Sequence, residues 1–477
     1  MVTSRHKLVL SSGRFFGTSR EQLAAAFDAF RESPQKDRLV LHFHGGLVDE
    51  TAAEQIAARL LPLYRDRGGG WPLFTIWQAG LGETLRNNWR EIVAEDVFPR
   101  LVERVTQFVW GKLDQAPGEK GARVALPSRF AVEDEIRVAE AGEEPLAGRE
   151  AEAAAIDPEL TPAEQTQFEE LLGTDTVLSR AADRLVAGEA VELAPELEAE
   201  AARARAARAP EERGLIETGM LIGAGLRVLI RTLERLRDKR DHGIYTTIVE
   251  ETARELRGDL VGGIVWKHMK KDTADSFEGP ADRFGGSALL EEIGRLHAEG
   301  LRPRIILVGH STGAVYICHL LEAAAARLPE EIRFEVVFLA PACSFSLMQE
   351  TIERAGDRVA AFRSFGMEDK LEKKDRLFPP FYLRSLLYFV SGVVESDVDL
   401  PLVGMRRYHS GAEPFTREAF PEIAGVLDFA ERFPAAWLWS KKDLGPGLGT
   451  EAETHGDFDN DPATLDSLAS IVAAGIA

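Results

Sequence analysis

Residues 304–324 read RIILVGHSTGAVYICHLLEAA. The opening RIILV is a short apolar run of strand character, and the residues from Thr312 to Arg327 have helical character. Between them lies Gly309-His310-Ser311-Thr312-Gly313, a glycine-flanked serine in a tight turn. Strand, sharp turn and helix in that order are the setting that a G-x-S-x-G nucleophile requires. The serine sits in a strained turn, so its neighbours must be small. Gly309 and Gly313 let strand and helix approach closely. The backbone N–H of Thr312 falls at the helix N-terminus, where donors lack intrahelical partners and the dipole favours negative charge. Ser311 is therefore the candidate nucleophile, and Thr312 a candidate oxyanion donor.

The same rhythm extends outward in both directions. Upstream, KLVL (7–10), RLVLHF (38–43) and PLFTIW (72–77) read as strands, with helical spacing over 50–65. Thr18 and Glu21 have capping-box spacing ahead of a helix. The strand 38–43 runs into His44-Gly45-Gly46-Leu47, and Gly45 and Gly46 are candidates to present N–H groups to the same oxyanion. Downstream, 334–340, 358–363 and 436–440 read as strands and 381–394 as helical, and a last helix starts near Asp461-Pro462. Alternating strands and helices predict an α/β fold: a mostly parallel central sheet with helices on both faces.

The sheet pattern is split by an insertion of helical character. Residues 113–213 are rich in Ala, Glu and Arg and poor in aromatics. Thr161-Pro162-Ala163-Glu164 reads as a helix start, while 118–123 and 141–149 read as mobile loops. Residues 214–277 read as two longer helices, with Leu215, Ile222, Leu226, Leu229, Leu233 and Leu236 on one apolar stripe. The expected division is a core of 1–112 and 285–477 and an insertion of 113–284.

Composition narrows the function classes. The 477 residues carry a formal net charge of −21, which argues against a nucleic-acid partner, since such binding rests on clustered Lys and Arg. The N-terminus has no signal-peptide run, and Glu217 and Arg227 interrupt the longest apolar stretch, so no transmembrane segment is expected. The two cysteines, Cys318 and Cys343, read as reduced and partly buried, which fits a cytoplasmic compartment. No Gly-rich phosphate loop follows a strand and no Cys/His set has zinc spacing, so neither a cofactor nor a metal is expected. Asp457, Asp459 and Asp461 have the spacing of a calcium loop, but Pro462 and Leu468 stand where that loop needs Gly and Glu. Helix capping and a polar surround for His455 are the better readings.

A nucleophilic serine needs a base and an acid. Of the ten histidines, His310 adjoins the nucleophile and cannot easily face it, His42 lies within a strand, and His319 lies within the helix after the turn. His6 and His44 come early, and His242, His268 and His297 fall in or near the insertion. His409 and His455 are the late loop histidines. The order serine, acid, histidine places the base at His455, with His409 as the fallback. The acid is expected in the loop after 358–363; Asp369 is the first choice, then Glu368 and Asp375.

HFHGGL (42–47), GHSTG (309–313), FGMEDKLEKKD (365–375) and THGDFDNDP (454–462) together resemble the α/β-hydrolase superfamily, in that family's order. The resemblance covers residues 1–110 and about 285–477. SLLYFVSGVVE (385–395) and LVGMRRY (402–408) are similar to segments of large bacterial members. It implies an eight-stranded, mostly parallel sheet, a triad of Ser311, Asp369 and His455, and insertions that serve as lids. The expected function is a serine hydrolase acting on a small-molecule or lipid-like carboxylic ester through an acyl-enzyme. The alternatives are a thioesterase, amidase or peptidase with the same triad, or a catalytically silent scaffold that binds a partner. The insertion is also a candidate docking site for a partner protein.

Overall fold

The structure, a computed structural model, describes residues 3–46, 48–77, 89, 97–115, 123–178, 218–256 and 258–476. Leu47, Leu215 and most of the expected loop 118–123 lie outside the described residues.

Eight strands form one sheet: β1 (Lys7–Ser11), β2 (Arg14–Phe15), β3 (Arg38–Phe43), β4 (Trp71–Trp77), β5 (Arg304–His310), β6 (Phe334–Leu339), β7 (Val359–Met367) and β8 (Trp437–Ser440). Their order is β2-β1-β4-β3-β5-β6-β7-β8, with β1 and β2 antiparallel and every other neighbouring pair parallel. β3, β5 and β6 are buried along nearly their whole length, as strands covered on both faces must be. On one face Val40, Ile306, Val308, Val337 and Phe365 pack with Leu468, Ile471 and Val472 of the C-terminal helix Pro462–Ala474. On the other, Phe43 stacks on Tyr316 of the helix Gly313–Arg327 at 4.6 Å. Each such side chain contributes about 1.5–3 kcal/mol when fully buried.

The helix starts show where local sequence decides structure. Thr161 caps the helix Pro162–Gly173 in a reciprocal capping box with Glu164. Asp461 caps Pro462–Ala474, with Pro462 in the first turn. The first helix departs from expectation: Ser19 and Gln22, not Thr18 and Glu21, form its capping box. Thr18 is buried, and its hydroxyl accepts from the N–H of Val9 at 2.9 Å, so a long-range partner takes the atom that a cap would use.

The chain forms two compact units, Met1–Glu83 with Lys267–Glu372 and Pro401–Ala477, and Thr84–Trp266 with Lys373–Leu400. The first holds the sheet. These divisions differ from the expected 112/113 and 284/285, and 373–400 belongs with the second unit. The reason is a buried charge cluster. His242 meets Glu250 at 2.7 Å through Nδ1 and Asp399 at 2.9 Å through Nε2. Arg235 reaches Glu250 at 2.7 Å and Glu251 at 2.9 Å, and the hydroxyl of Tyr382 donates to Glu250 at 2.7 Å. Burying such charges is tolerable only when they are mutually paired, so 373–400 is bound to the helix Ile244–Glu255.

Among the described residues, 214–277 holds three helices rather than two: Thr218–Arg237, Ile244–Glu255 and Gly258–Asp275. The chain breaks where Gly243 takes φ 104°. The buried stripe of the first is Leu221, Ala224, Val228, Leu229, Leu233 and Leu236, whereas Ile222 and Leu226 are only partly covered. The loop 141–149 is anchored: Glu144 accepts from the N–H of Thr246 at 2.9 Å and pairs with Arg384 at 3.0 Å. Among the described residues, no helix is long and apolar enough to cross a membrane.

Candidate active site

Parallel strands bring their C-terminal ends to one edge of the sheet, and loops at that edge carry the chemistry of open α/β folds. Here β3 leads into Gly45, β5 into Ser311 and β7 into Asp369.

Ser311 stands at φ 54°, the left-handed region that costs a side chain on the order of 1–2 kcal/mol. Its surroundings hold it there. Its N–H donates to Leu339 at 2.9 Å, and its carbonyl accepts from Ala314 and Ala342, each at 3.1 Å. A Cβ on Gly313 would collide with the carbonyl of Phe43, so the helix can begin this close to the end of β3 only with glycine there. Thr312 is the N-cap residue of that helix.

The glycine loop after β3 lies against the serine. A Cβ built on Gly45 would sit 3.4 Å from the Cβ of Ser311. One on Gly46 would come within 2.8 Å of Thr312 Oγ1 and 2.7 Å of Met269 Sδ. Ser311, Thr312, Gly45 and Gly46 therefore converge, although some 265 residues of sequence separate the two loops.

His44 holds that loop. Its Nε2 accepts from the N–H of Trp77 at 3.2 Å, so in the neutral ring the proton lies on Nδ1, which donates to the carbonyl of Gly45 at 2.6 Å. The ring stacks on Trp77 at 4.3 Å. Burial lowers its pKa to about 4, against the opposing effect of the Gly45 carbonyl. His42 bonds the hydroxyl of Tyr64 at 3.0 Å, and burial lowers its pKa to about 3.

His455 is buried in the loop before the C-terminal helix. Its ring lies 5.3 Å from that of His310, nearly parallel at 28°, and its carbonyl accepts from His310 Nε2 at 3.0 Å. Burial, then the nearness of His310, holds its pKa well below the usual histidine value, which favours the neutral ring. Asp457 accepts from the N–H groups of Glu453 and Thr454 at 3.1 and 2.8 Å and so shapes the loop. Asp459 pairs with Arg59 at 3.3 Å, and Asp461 is the helix cap. The three aspartates with cation-loop spacing thus have local work, and among the described residues no group of three or more His, Cys, Asp or Glu could hold a metal ion.

Of the three acids, Asp369 is half-buried and opens the short helix Asp369–Glu372 directly past β7. Glu368 pairs with Arg406 at 3.4 Å. Asp375 belongs to the second unit. The fallback base His409 is a packing residue: Nε2 donates to Val403 at 2.8 Å, and the ring lies edge-on to Trp437 and Trp439. Cys318 and Cys343 are buried free thiols.

The reading of single residues missed the histidine cluster. Burial first, with a smaller contribution from His310 beside them, lowers the pKa of His42, His44 and His455. The signal was present in the sequence: His42, His44 and His310 all stand at the C-terminal ends of central strands, beside the glycine turns.

A model of the Alpha/beta hydrolase family matches residues 255–460 of the chain. The mostly parallel eight-stranded sheet agrees with that fold. No curated protein and no solved structure matches the chain.

Proposed function

We propose, from the premise that residues 255–460 belong to the alpha/beta hydrolase family, that the chain is a serine hydrolase acting on carboxylic esters. The observation that carries the reading is Ser311 at φ 54°, between strand and helix, with the Gly45 backbone against it. In this scheme neutral His455 takes the proton of the Ser311 hydroxyl as the oxygen attacks the ester carbonyl. The N–H groups of Thr312 and of the Gly45–Gly46 loop receive the oxyanion, each worth roughly a hundredfold or more in rate. His455 then passes its proton to the leaving alkoxide. Water attacks the acyl-enzyme, again giving its proton to His455, which returns it to the Ser311 oxygen as the acid is released. Asp369 is the proposed partner that stabilises the His455 imidazolium.

The test is labelling by a fluorophosphonate, followed by ester, thioester and amide substrates of graded chain length. Labelling lost in Ser311→Ala and retained in Asp375→Asn supports the reading. Labelling that persists without Ser311 removes it. A lipid-like ester substrate predicts rates that climb with acyl length, and a steep preference for acetyl esters assigns a small one.

A further inference from the structure

His310 is the residue that reading the elbow alone sets aside, because a side chain next to the nucleophile points away from it. Its environment gives it another task. Nε2 donates to the backbone carbonyl of His455 at 3.0 Å, and an acceptor there requires that this nitrogen carry the proton. Nδ1 is buried, has no hydrogen-bond partner among the described residues, and faces Asp459 Oδ2 at 3.8 Å. Asp459 is itself turned by Arg59, 3.3 Å from its other oxygen. The rings of His310 and His455 lie one over the other at 5.3 Å. His310 closes β5, where it is registered against Leu339, so its backbone is as fixed as any in the sheet.

We infer that His310 is a positioning residue for His455: it ties the loop carrying the base to the same strand end that carries the nucleophile. The inference rests on the proposed serine hydrolase reading, and it adds a device for keeping base and nucleophile in register. Ser311 and His455 come from segments 144 positions apart (455 − 311), and a loop on its own holds position less well than a strand. The bond from His310 links the two at the residues that must meet. The ring stack limits how far the His455 imidazole swings. Asp459, four residues on in the same loop, faces the other ring nitrogen of His310 at 3.8 Å, so both edges of the ring are set against this loop. A misplacement of about 1 Å at such a pair costs on the order of a hundredfold in rate without weakening substrate binding.

The experiment compares His310→Leu, which fills the space without a donor, with His310→Gln, whose amide N–H can reach where Nε2 lies. Hydrolysis of p-nitrophenyl acetate is followed between pH 5 and 9, with amide hydrogen exchange of the segment 453–460 measured on the same samples. The expected result for Leu is a fall in kcat of roughly ten- to a hundredfold with KM nearly unchanged, and faster exchange in 453–460. Gln restores both toward the parent. Unchanged kcat in Leu, or Gln as impaired as Leu, overturns the inference. Unchanged exchange in Leu also overturns it, and this readout needs no catalysis. Ser311→Ala in the same assay separates the two ideas: parental hydrolysis there removes the hydrolase reading, while the exchange comparison still decides the tether.

Discussion

The Nδ1–H of His44 donates to the carbonyl of Gly45, one residue away, at 2.6 Å. A trans peptide is planar, so pinning the Gly45 carbonyl also aims the Gly46 N–H in the opposite direction. His44 is in turn pinned by the N–H of Trp77 and by the Trp77 ring. The loop proposed to hold the oxyanion is thus fixed by a neutral imidazole of fixed tautomer. His44→Leu is expected to lower kcat by about ten- to a hundredfold with little change in KM. His44→Asn, which can still donate near the Nδ1 position, should lose less. Steady-state kinetics on a short ester checks both, and equal losses in the two variants would count against the donor role.

Gly46 tests packing at the same place. Alanine there meets Thr312 Oγ1 and Met269 Sδ at under 3 Å. Overpacking of this kind costs roughly 1–3 kcal/mol. The thioether of Met269 is a flexible end, whereas Thr312 belongs to the elbow. Gly46→Ala should therefore lower both Tm and kcat, and adding Met269→Ala should recover part of the Tm but little of the kcat. Full recovery of activity in the double variant would show that the loop backbone had not moved.

Stability should fall as the solution is acidified. The pKa values of His42 and His44 are held at about 3 and 4 in the folded chain by burial, and that of His455 is held well below the usual value. Unfolded histidine titrates near 6.5, so below that pH the unfolded chain binds protons that the folded chain does not. Stability is then fully present above about pH 6.5 and declines toward pH 4, at up to about 1.4 kcal/mol per pH unit for each ring. Urea midpoints between pH 7.5 and 4.5 measure this slope. His42→Gln should flatten it, and a slope unaltered by that change would assign the effect elsewhere.

The charge cluster of the second unit makes an independent prediction. Burial would raise the pKa of Glu250, but His242 and Arg235 beside it hold the carboxyl to about 2. His242→Leu removes the ring that bridges Glu250 and Asp399, leaving them to Arg235 and Arg240, and breaking a buried pair from one side costs roughly 3–5 kcal/mol. The loss should appear as faster hydrogen exchange in the helix Ile244–Glu255 and in 373–400, with fluorophosphonate labelling of Ser311 retained. Exchange that stays at the parental rate would mean that the apolar contacts alone hold these segments.

The strands were legible because their signal is local. RLVLHF, RIILV and FEVVFL are apolar runs that can be satisfied only in a covered sheet, and each became a strand within a residue or two of its expected bounds. The glycine turns were legible for the same reason. GHSTG between strand and helix leaves the chain few conformations, and Ser311 is where that turn puts it. The caps at Thr161 and Asp461 are contacts within four residues and were equally readable.

Other features depend on partners far away in sequence. Thr18 looked like a cap until Val9 claimed its hydroxyl. Residues 373–400 looked like part of the sheet unit, but Asp399 and Tyr382 meet carboxylate and imidazole partners more than 130 residues earlier. His310 looked idle because its neighbour Ser311 is the wrong place to look; its partner is the backbone of His455. A periodic pattern reports which face of an element is buried, but it carries nothing about which distant polar atom shares that burial. The elbow at Ser311 is therefore written in five consecutive residues, whereas the arrangement around it follows from the sheet, which brings the ends of β3 and β5 together and leaves each buried polar group to find its partner there.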